Sequence, residues 1–205
     1  MRIGIIDYGA GNLLSVKKAF DFLGVNAFFV KSDGEMESAR AIVLPGVGAF
    51  GSAMESLKDL KSSIVEWIND GKPYLGICLG LQLLFEESEE SPGVKGLSVL
   101  QGKVARFQAD KVPQIGWNSI HIIKNTPVFE GIQDGEYFYF LHSYYVVPEN
   151  DEIIISKTVY GGETYTSGVQ KGNLVAVQFH PEKSGQAGLK FLKNWLNFLR
   201  KISKP

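Results

Sequence analysis

The chain has 205 residues, of which 44% are hydrophobic and 21% charged; this is enough apolar material for one sizeable core, so we expect a single domain over residues 1–205. A net charge of −1 gives no reason to expect a nucleic-acid groove or an anionic membrane surface as the main partner. No apolar run approaches the roughly 20 residues that span a bilayer, no signal peptide is evident, and the single cysteine suits a reducing compartment, so we expect a cytoplasmic protein.

The first half of the chain alternates strand-like and helix-like patterns. Short apolar runs predict strands at 2–7, 25–30, 41–44 and 73–77, and apolar side chains at helical spacing predict helices at 13–23, 53–69 and 79–85. Strands that alternate with helices favour parallel pairing. We therefore expect an α/β fold with a mostly parallel, doubly wound central sheet and helices on both faces.

The second half is dominated by strands. Strand-like segments separated by turn residues lie at 103–107, 117–123, 136–141, 144–147, 152–159, 164–170 and 173–179. We expect them to form an antiparallel extension of the same sheet. An amphipathic helix over 184–200 ends the pattern.

The only cysteine, Cys78, lies in the pattern Gly-x-Cys-x-Gly between a predicted strand and a predicted helix. This is the cysteine counterpart of the sharp strand-to-helix turn called the nucleophile elbow. The glycines at 76 and 80 allow the backbone to approach closely, and the start of a helix favours a thiolate. A lone cysteine is more often a buried structural residue, but the flanking glycines favour a nucleophile.

A thiol nucleophile needs a base, and the base needs a group that orients it. His180 follows a predicted core strand at an edge suited to a cleft, and Glu182 is close enough in sequence to accept a hydrogen bond from its ring. His121 lies in an alternating pattern that predicts exposure. His142 is the alternative base.

The segment Pro45-Gly46-Val47-Gly48 follows a predicted strand on the same rim of the sheet as Cys78. Such a loop can direct backbone N–H groups at a developing negative oxygen, and Gly46 lets the peptide before Val47 reorient. The N–H of Leu79 is the natural second donor. The loop is too short for a dinucleotide fingerprint, and three histidines with one cysteine make a zinc site hard to assemble, so we expect no cofactor and no metal.

Three motifs together resemble the class I (triad-type) glutamine amidotransferases: Pro-Gly-Val-Gly at 45–48, Gly-x-Cys-x-Gly-x-Gln at 76–82 and Gln-Phe-His-Pro-Glu at 178–182. More narrowly, segments at 7–12, 45–50, 116–118, 139–144 and 180–184 resemble the glutaminase subunits of imidazole glycerol phosphate synthases. The match runs nearly end to end. It implies a flavodoxin-like amidotransferase fold and hydrolysis of L-glutamine to glutamate and ammonia through a thioester on Cys78.

The resemblance also implies roles for further positions. The residues that fall where this family holds substrate are Gly48, Gln82, Glu90, Ser143 and Tyr144. Those that fall at the partner interface and ammonia passage are Asn12, Trp117, Tyr139 and Lys183. The implied partner is a (β/α)₈-barrel synthase/cyclase subunit, which forms a heterodimer with the glutaminase, consumes the ammonia and switches the glutaminase on. A reorienting Gly46–Gly48 loop is our hypothesis for that switch.

Three alternatives remain. The first is another class I glutaminase, serving aminobenzoate, purine or pyridoxal phosphate synthesis. The second is a cysteine peptidase or a small-molecule chaperone on a similar sheet. Gln82 and the His-x-Glu pair argue against it. The third is a non-catalytic regulator, which is disfavoured because all three triad positions are filled.

Overall fold

A computed structural model describes residues 1–9 and 11–202 of the chain. The strands are β1 Arg2–Ile6, β2 Asn26–Val30, β3 Ala41–Gly46, β4 Tyr74–Cys78, β5 Glu87–Ser88, β6 Gly102–Arg106, β7 Gln114–Ser119, β8 His121–Ile122, β9 Tyr137–His142, β10 Tyr144–Pro148, β11 Ile154–Tyr160, β12 Glu163–Lys171 and β13 Leu174–Val177. The helices are α1 Leu13–Phe22, α2 Asp33–Glu37, α3 Phe50–Ser56, α4 Lys61–Asn69, α5 Leu79–Gln82 and α6 Gly185–Lys201. The motif at 7–12 includes Ala10, which lies outside the described residues.

The centre of the large sheet is parallel, as the alternation of strands and helices predicts. Its strands run in the order β2-β1-β3-β4-β13, and each neighbouring pair is parallel. The sheet continues through β12, β10 and β6, which pair antiparallel, and ends at β5, while β11 and β8 attach beside β12. The carboxyl ends of β3, β4 and β13 therefore lie side by side at one edge of the sheet.

Both faces of the central parallel strands β3, β4 and β13 are buried, which explains their continuous apolar sequences. Alternate residues of each strand point to opposite faces: Ile5 and Val43 belong to one apolar cluster, and Ile42 and Leu44 to the other. Helices α1 and α6 cover the first face, whereas α2, α3 and α4 cover the second. The mixed α/β class and its mostly parallel sheet are as predicted.

The helix predicted over residues 53–69 is two helices. The chain leaves α3 at Leu57 and enters α4 after Leu60, and the Leu60 N–H donates to the Leu57 carbonyl. Both leucines are buried in the same cluster, so the apolar pattern continues across the turn. No glycine or proline occurs in 53–69 to indicate the break. The short helix α2 is not predicted by the apolar pattern.

The antiparallel extension is also only partly as predicted. Strands β7 and β9 leave the large sheet and form a separate two-stranded sheet, in which Trp117 is opposite Tyr139. The strand predicted over 117–123 ends at Ser119 and resumes as β8.

In the parallel part of the sheet, strand β3 runs two residues further than predicted, because Gly46 still pairs with Cys78.

No helix of the described residues combines the length and the apolar character that crossing a membrane requires.

Candidate active site

Cys78 lies at the carboxyl end of β4, where the chain turns directly into α5. Its backbone has φ 55° and ψ −106°, a conformation that L-residues with a side chain rarely adopt. A Cβ on Gly76 would lie 2.7 Å from the Gly80 carbonyl oxygen, and a Cβ on Gly80 would overlap the Leu44 carbonyl oxygen. Only glycine fits at either position, so the turn has the close approach expected of a nucleophile elbow.

Residue Cys78 is only 4% exposed, but it lines an open cavity. Its sulfur lies 3.7 Å from the Leu141 carbonyl oxygen, to which a thiol can donate, and 3.5 Å from Nε2 of Gln178, which donates to it. The cavity measures about 240 Å³. Sites for drug-sized ligands measure about 300–1,000 Å³, so this cavity suits a molecule of amino-acid size.

His180 and Glu182 form a buried pair beside this cavity. His180 Nδ1 is 2.8 Å from Glu182 Oε1, and the two side chains are 1% and 0% exposed. Asn12 donates from Nδ2 to the same carboxylate oxygen. The backbone of His180 is fixed as well, because its N–H donates to the Tyr139 carbonyl and its carbonyl accepts from the Ser184 hydroxyl. The imidazole orientation is therefore set by the hydrogen bond at Nδ1 and by the fixed backbone of His180.

The pKa of His180 is raised to about 10. Burial acts to lower this pKa, but it is outweighed by the charge of Cys78 and by the hydrogen bond to Glu182 and the charge of that carboxylate. Nε2 of the ring is buried and makes no hydrogen bond of ordinary geometry with any described residue, so the influence of Cys78 at rest is mainly electrostatic. Contacts of this kind commonly tighten when substrate binds.

Replacing Cys78 by alanine is expected to lower the pKa of His180, because burial then acts against Glu182 alone. Nitrogen-15 NMR of the imidazole across a pH titration measures this. An unchanged His180 pKa in the variant would show that the sulfur does not act on the ring.

In the wild type, folding raises the pKa of His180. Protonated His180 therefore stabilises the fold fully below about pH 6.5, and that contribution is lost as the pH rises towards 10.

The proposed oxyanion donors border the same cavity. Val47 and Leu79 both line it, and Gly46, just before Val47, is opposite Cys78 in the β3–β4 pairing. The Leu79 N–H belongs to the first residue of α5, which has no partner within the helix. The residue after Val47, Gly48, has φ 116°, a backbone conformation that glycine adopts more readily than other residues.

All five residues assigned to substrate by resemblance line the cavity: Gly48, Gln82, Glu90, Ser143 and Tyr144. Nε2 of Gln82 donates both its hydrogens within the protein, to the Tyr144 carbonyl and to Gln178 Oε1, which leaves its Oε1 for a ligand. The Glu90 carboxylate accepts from the Phe50 N–H at the start of α3. Glu90 is thus a half-buried anion facing the cavity rather than part of a solvated acidic surface.

His142, the alternative base, is buried, and both its ring nitrogens face polar groups of the protein. Nδ1 is 2.8 Å from the Tyr144 carbonyl oxygen and therefore carries the proton, while Nε2 lies 3.3 Å from the Tyr165 hydroxyl. Burial lowers the pKa of His142 to about 3, so the ring is neutral near pH 7. His121 is exposed. His180, by contrast, is a buried histidine whose ring keeps one nitrogen, Nε2, without a hydrogen-bond partner among the described residues.

The residues assigned to the partner interface lie around the two-stranded sheet and the start of α1. Trp117 is 56% exposed and packs edge-on against Tyr139, and the Lys183 ammonium lies 5.9 Å from the Tyr139 ring centre. Asn12 is different, because its amide holds Glu182. Among residues 1–9 and 11–202, no group of His, Cys, Asp and Glu side chains is arranged to hold a metal ion.

Two contacts at this site have no strong signal in the sequence. The Asn12–Glu182 hydrogen bond joins residues 170 positions apart, and Gln178 reaches Cys78 across 100 positions. Gln178 is part of the 178–182 motif, but its strand pattern alone suggests a core position.

Comparison with known proteins agrees with this geometry. Residues 4–198 match the family model described as glutamine amidotransferase class-I. Two solved structures have the same fold, each with a TM-score of 0.77 over 97% of this chain and 98% of theirs: one titled as a glutamine amidotransferase, at 18% identity, and PurLQS from Thermotoga maritima, at 22%. The chain belongs to the class I glutamine amidotransferase family.

Within that family, the chain is similar to proteins named imidazole glycerol phosphate synthase subunit HisH. It is 50% identical to the one from Methanocaldococcus jannaschii, over 96% of this chain and all of the relative. It is 52% identical to the one from Thermococcus kodakarensis, over 94% of this chain and 98% of the relative. The narrower resemblance of the sequence motifs is thereby confirmed.

Proposed function

We propose that this chain is the glutaminase subunit of an imidazole glycerol phosphate synthase. It hydrolyses L-glutamine to glutamate and ammonia, and the ammonia passes to a (β/α)₈-barrel cyclase subunit that makes imidazole glycerol phosphate and the aminoimidazole carboxamide nucleotide AICAR in histidine biosynthesis. The strongest support is the only thiol of the chain, held at a strained turn beside a buried His–Glu pair. The relatives that are 50% and 52% identical to this chain carry the name of that synthase. The proposal includes one domain over residues 1–205 and a cytoplasmic location, which suits a free catalytic thiol.

In the proposed reaction, the Cys78 sulfur attacks the side-chain carbonyl carbon of glutamine and a C–S bond forms. The N–H groups of Val47 and Leu79 stabilise the negative oxygen. Protonated His180 gives its proton to the amide nitrogen, the C–N bond breaks and ammonia leaves. Water then attacks the thioester and gives a proton to His180, and the C–S bond breaks to release glutamate. Glu182 keeps the imidazole oriented throughout.

We assign the partner surface to the outer face of the β7–β9 sheet, because it exposes several large apolar side chains. Ile115, Trp117 and Tyr137 are each more than half exposed, beside the partly exposed Tyr139. Exposed aromatic side chains are enriched at protein interfaces. The same strands reach the site, because the Tyr139 carbonyl accepts from the His180 N–H and the Leu141 carbonyl lies beside the sulfur. A partner on this face is therefore well placed to alter the site.

The proposal is tested by mixing the purified chain with the cyclase subunit of a HisH-containing synthase. Glutamine should then support synthesis, and glutamine hydrolysis should be much faster in the complex than in the free chain. Equal hydrolysis by the free chain would contradict activation by the partner. Failure of glutamine to support synthesis with any cyclase subunit would contradict the proposed function and favour another class I glutaminase.

Trp117→Ala should weaken the complex about 10- to 100-fold in Kd, since a central interface tryptophan is commonly worth about 2 kcal/mol or more. Titration calorimetry measures this. Phe22→Ala is the matched control, because Phe22 is 75% exposed but lies at the opposite end of α1 from Asn12. If both variants weakened binding equally, or neither did, the partner surface would be wrongly assigned.

A further inference from the structure

Gln178 has a completely buried side chain whose amide points at the nucleophile. It directly follows β13, its N–H donates to the Ser167 carbonyl, and its Nε2 lies 3.5 Å from the Cys78 sulfur. This is an ordinary distance for a nitrogen that donates to sulfur. A buried amide is expensive unless its hydrogen bonds are made, so its orientation reflects what the surroundings require.

A backbone carbonyl fixes that orientation. The Tyr144 carbonyl oxygen can only accept, so the Gln82 amide turns its nitrogen towards it, at 2.9 Å. The same nitrogen donates to Oε1 of Gln178 at 3.1 Å. If the Gln178 amide were flipped, its nitrogen would face the Gln82 nitrogen, donor against donor. Nε2 of Gln178 is thereby directed at the sulfur.

The sulfur thus has a partner in each protonation state. A thiol can donate to the Leu141 carbonyl oxygen at 3.7 Å, whereas a thiolate accepts from Gln178. Because residue Cys78 is only 4% exposed, few water molecules can solvate a negative charge on its sulfur. Hydrogen bonds to charged acceptors are stronger than neutral ones, so the Gln178 amide favours the anionic sulfur.

We propose that Gln178 is a catalytic residue that donates a hydrogen bond to the Cys78 thiolate, with Gln82 as its positioning residue; this inference rests on the proposed glutaminase function. The donor acts twice. It stabilises the thiolate that attacks glutamine. It also stabilises the sulfur as it leaves, when water adds to the thioester carbonyl, the C–S bond breaks and its electron pair returns to sulfur.

The test uses the fact that Cys78 is the only cysteine, so alkylation of the chain by iodoacetamide reports this sulfur alone. At fixed pH, Gln178→Met should slow alkylation about 10- to 100-fold, the size expected for a hydrogen bond to a charged group. Gln178→Glu, which replaces the donor by a negative acceptor, should slow it further. If Gln178 were only a packing residue, its replacement would loosen the site and leave alkylation unchanged or faster.

Gln114→Met is the matched control, because Gln114 is another buried glutamine whose amide oxygen accepts from the Tyr165 hydroxyl. Its alkylation rate should match the wild type. In the complex, Gln178→Met should lower kcat for glutamine about 10- to 100-fold with little change in KM. Urea unfolding checks that each variant is folded, and if Gln178→Met is not, Gln178→Glu decides.

The two proposals fail separately. If alkylation is slower in the Gln178 variants but the wild-type complex does not use glutamine, the proposed function is contradicted and the sulfur contact stands. If the variants are alkylated as fast as the wild type and the wild-type complex does use glutamine, the role of Gln178 is overturned.

Discussion

In the Cys78→Ala variant, synthesis that depends on glutamine should fall by about 10⁴-fold or more, the loss typical of removing a nucleophile. Synthesis fed with ammonium salts should continue at the wild-type rate. Only the first reaction needs the sulfur, because ammonium salts supply directly the ammonia that this site would otherwise release from glutamine. The measurement is the rate of imidazole glycerol phosphate formation by the complex with each nitrogen source.

Cys78→Ser serves as the matched variant, since it keeps the size and polarity of the side chain but is a much poorer nucleophile beside the same His180. It should behave like Cys78→Ala in the glutamine reaction. Loss of both reactions in both variants would point to a structural role for Cys78, because the complex itself would then have failed. Retained glutamine use in Cys78→Ala would rule out the thioester route.

Gly80→Ala should destabilise the protein by about 3 kcal/mol or more, the upper range for overpacking. The added Cβ would overlap the Leu44 carbonyl oxygen of β3, and this obstacle is backbone within a paired strand rather than a flexible side chain. Any shift that relieved the overlap would also move Cys78, two residues away. We therefore expect the free energy of unfolding in urea and the glutaminase activity to fall together.

Gly34→Ala is the control for the same chemical change. Gly34 lies in α2, and nothing occupies the space within 4 Å of its added Cβ. Alanine there should be neutral or stabilise by about 0.5–1 kcal/mol, because it favours helix over the unfolded chain. Equal stabilities of the two variants would show that the strand-to-helix turn tolerates a side chain at position 80.

The helices and the small sheet show where local patterns stop being informative. Apolar spacing identifies α1 and α6, yet it joins α3 and α4 into one helix, because Leu57 and Leu60 stay buried across the turn between them. Similarly, β7 and β9 have ordinary strand sequences. Their separation from the large sheet depends on which partners the whole chain supplies. Period and composition do not encode that choice.

The sequence by itself determined the α/β class, the sharp turn at Cys78 and the pairing of His180 with Glu182. Each of these depends on residues a few positions apart, whose geometry follows from local sterics and spacing. Only the tertiary structure decided that Asn12 holds Glu182, that His142 is buried, neutral and bonded to the Tyr144 carbonyl, and that Gln178 faces the sulfur. Those contacts join distant segments, and their existence depends on the order and register of the strands in the folded sheet.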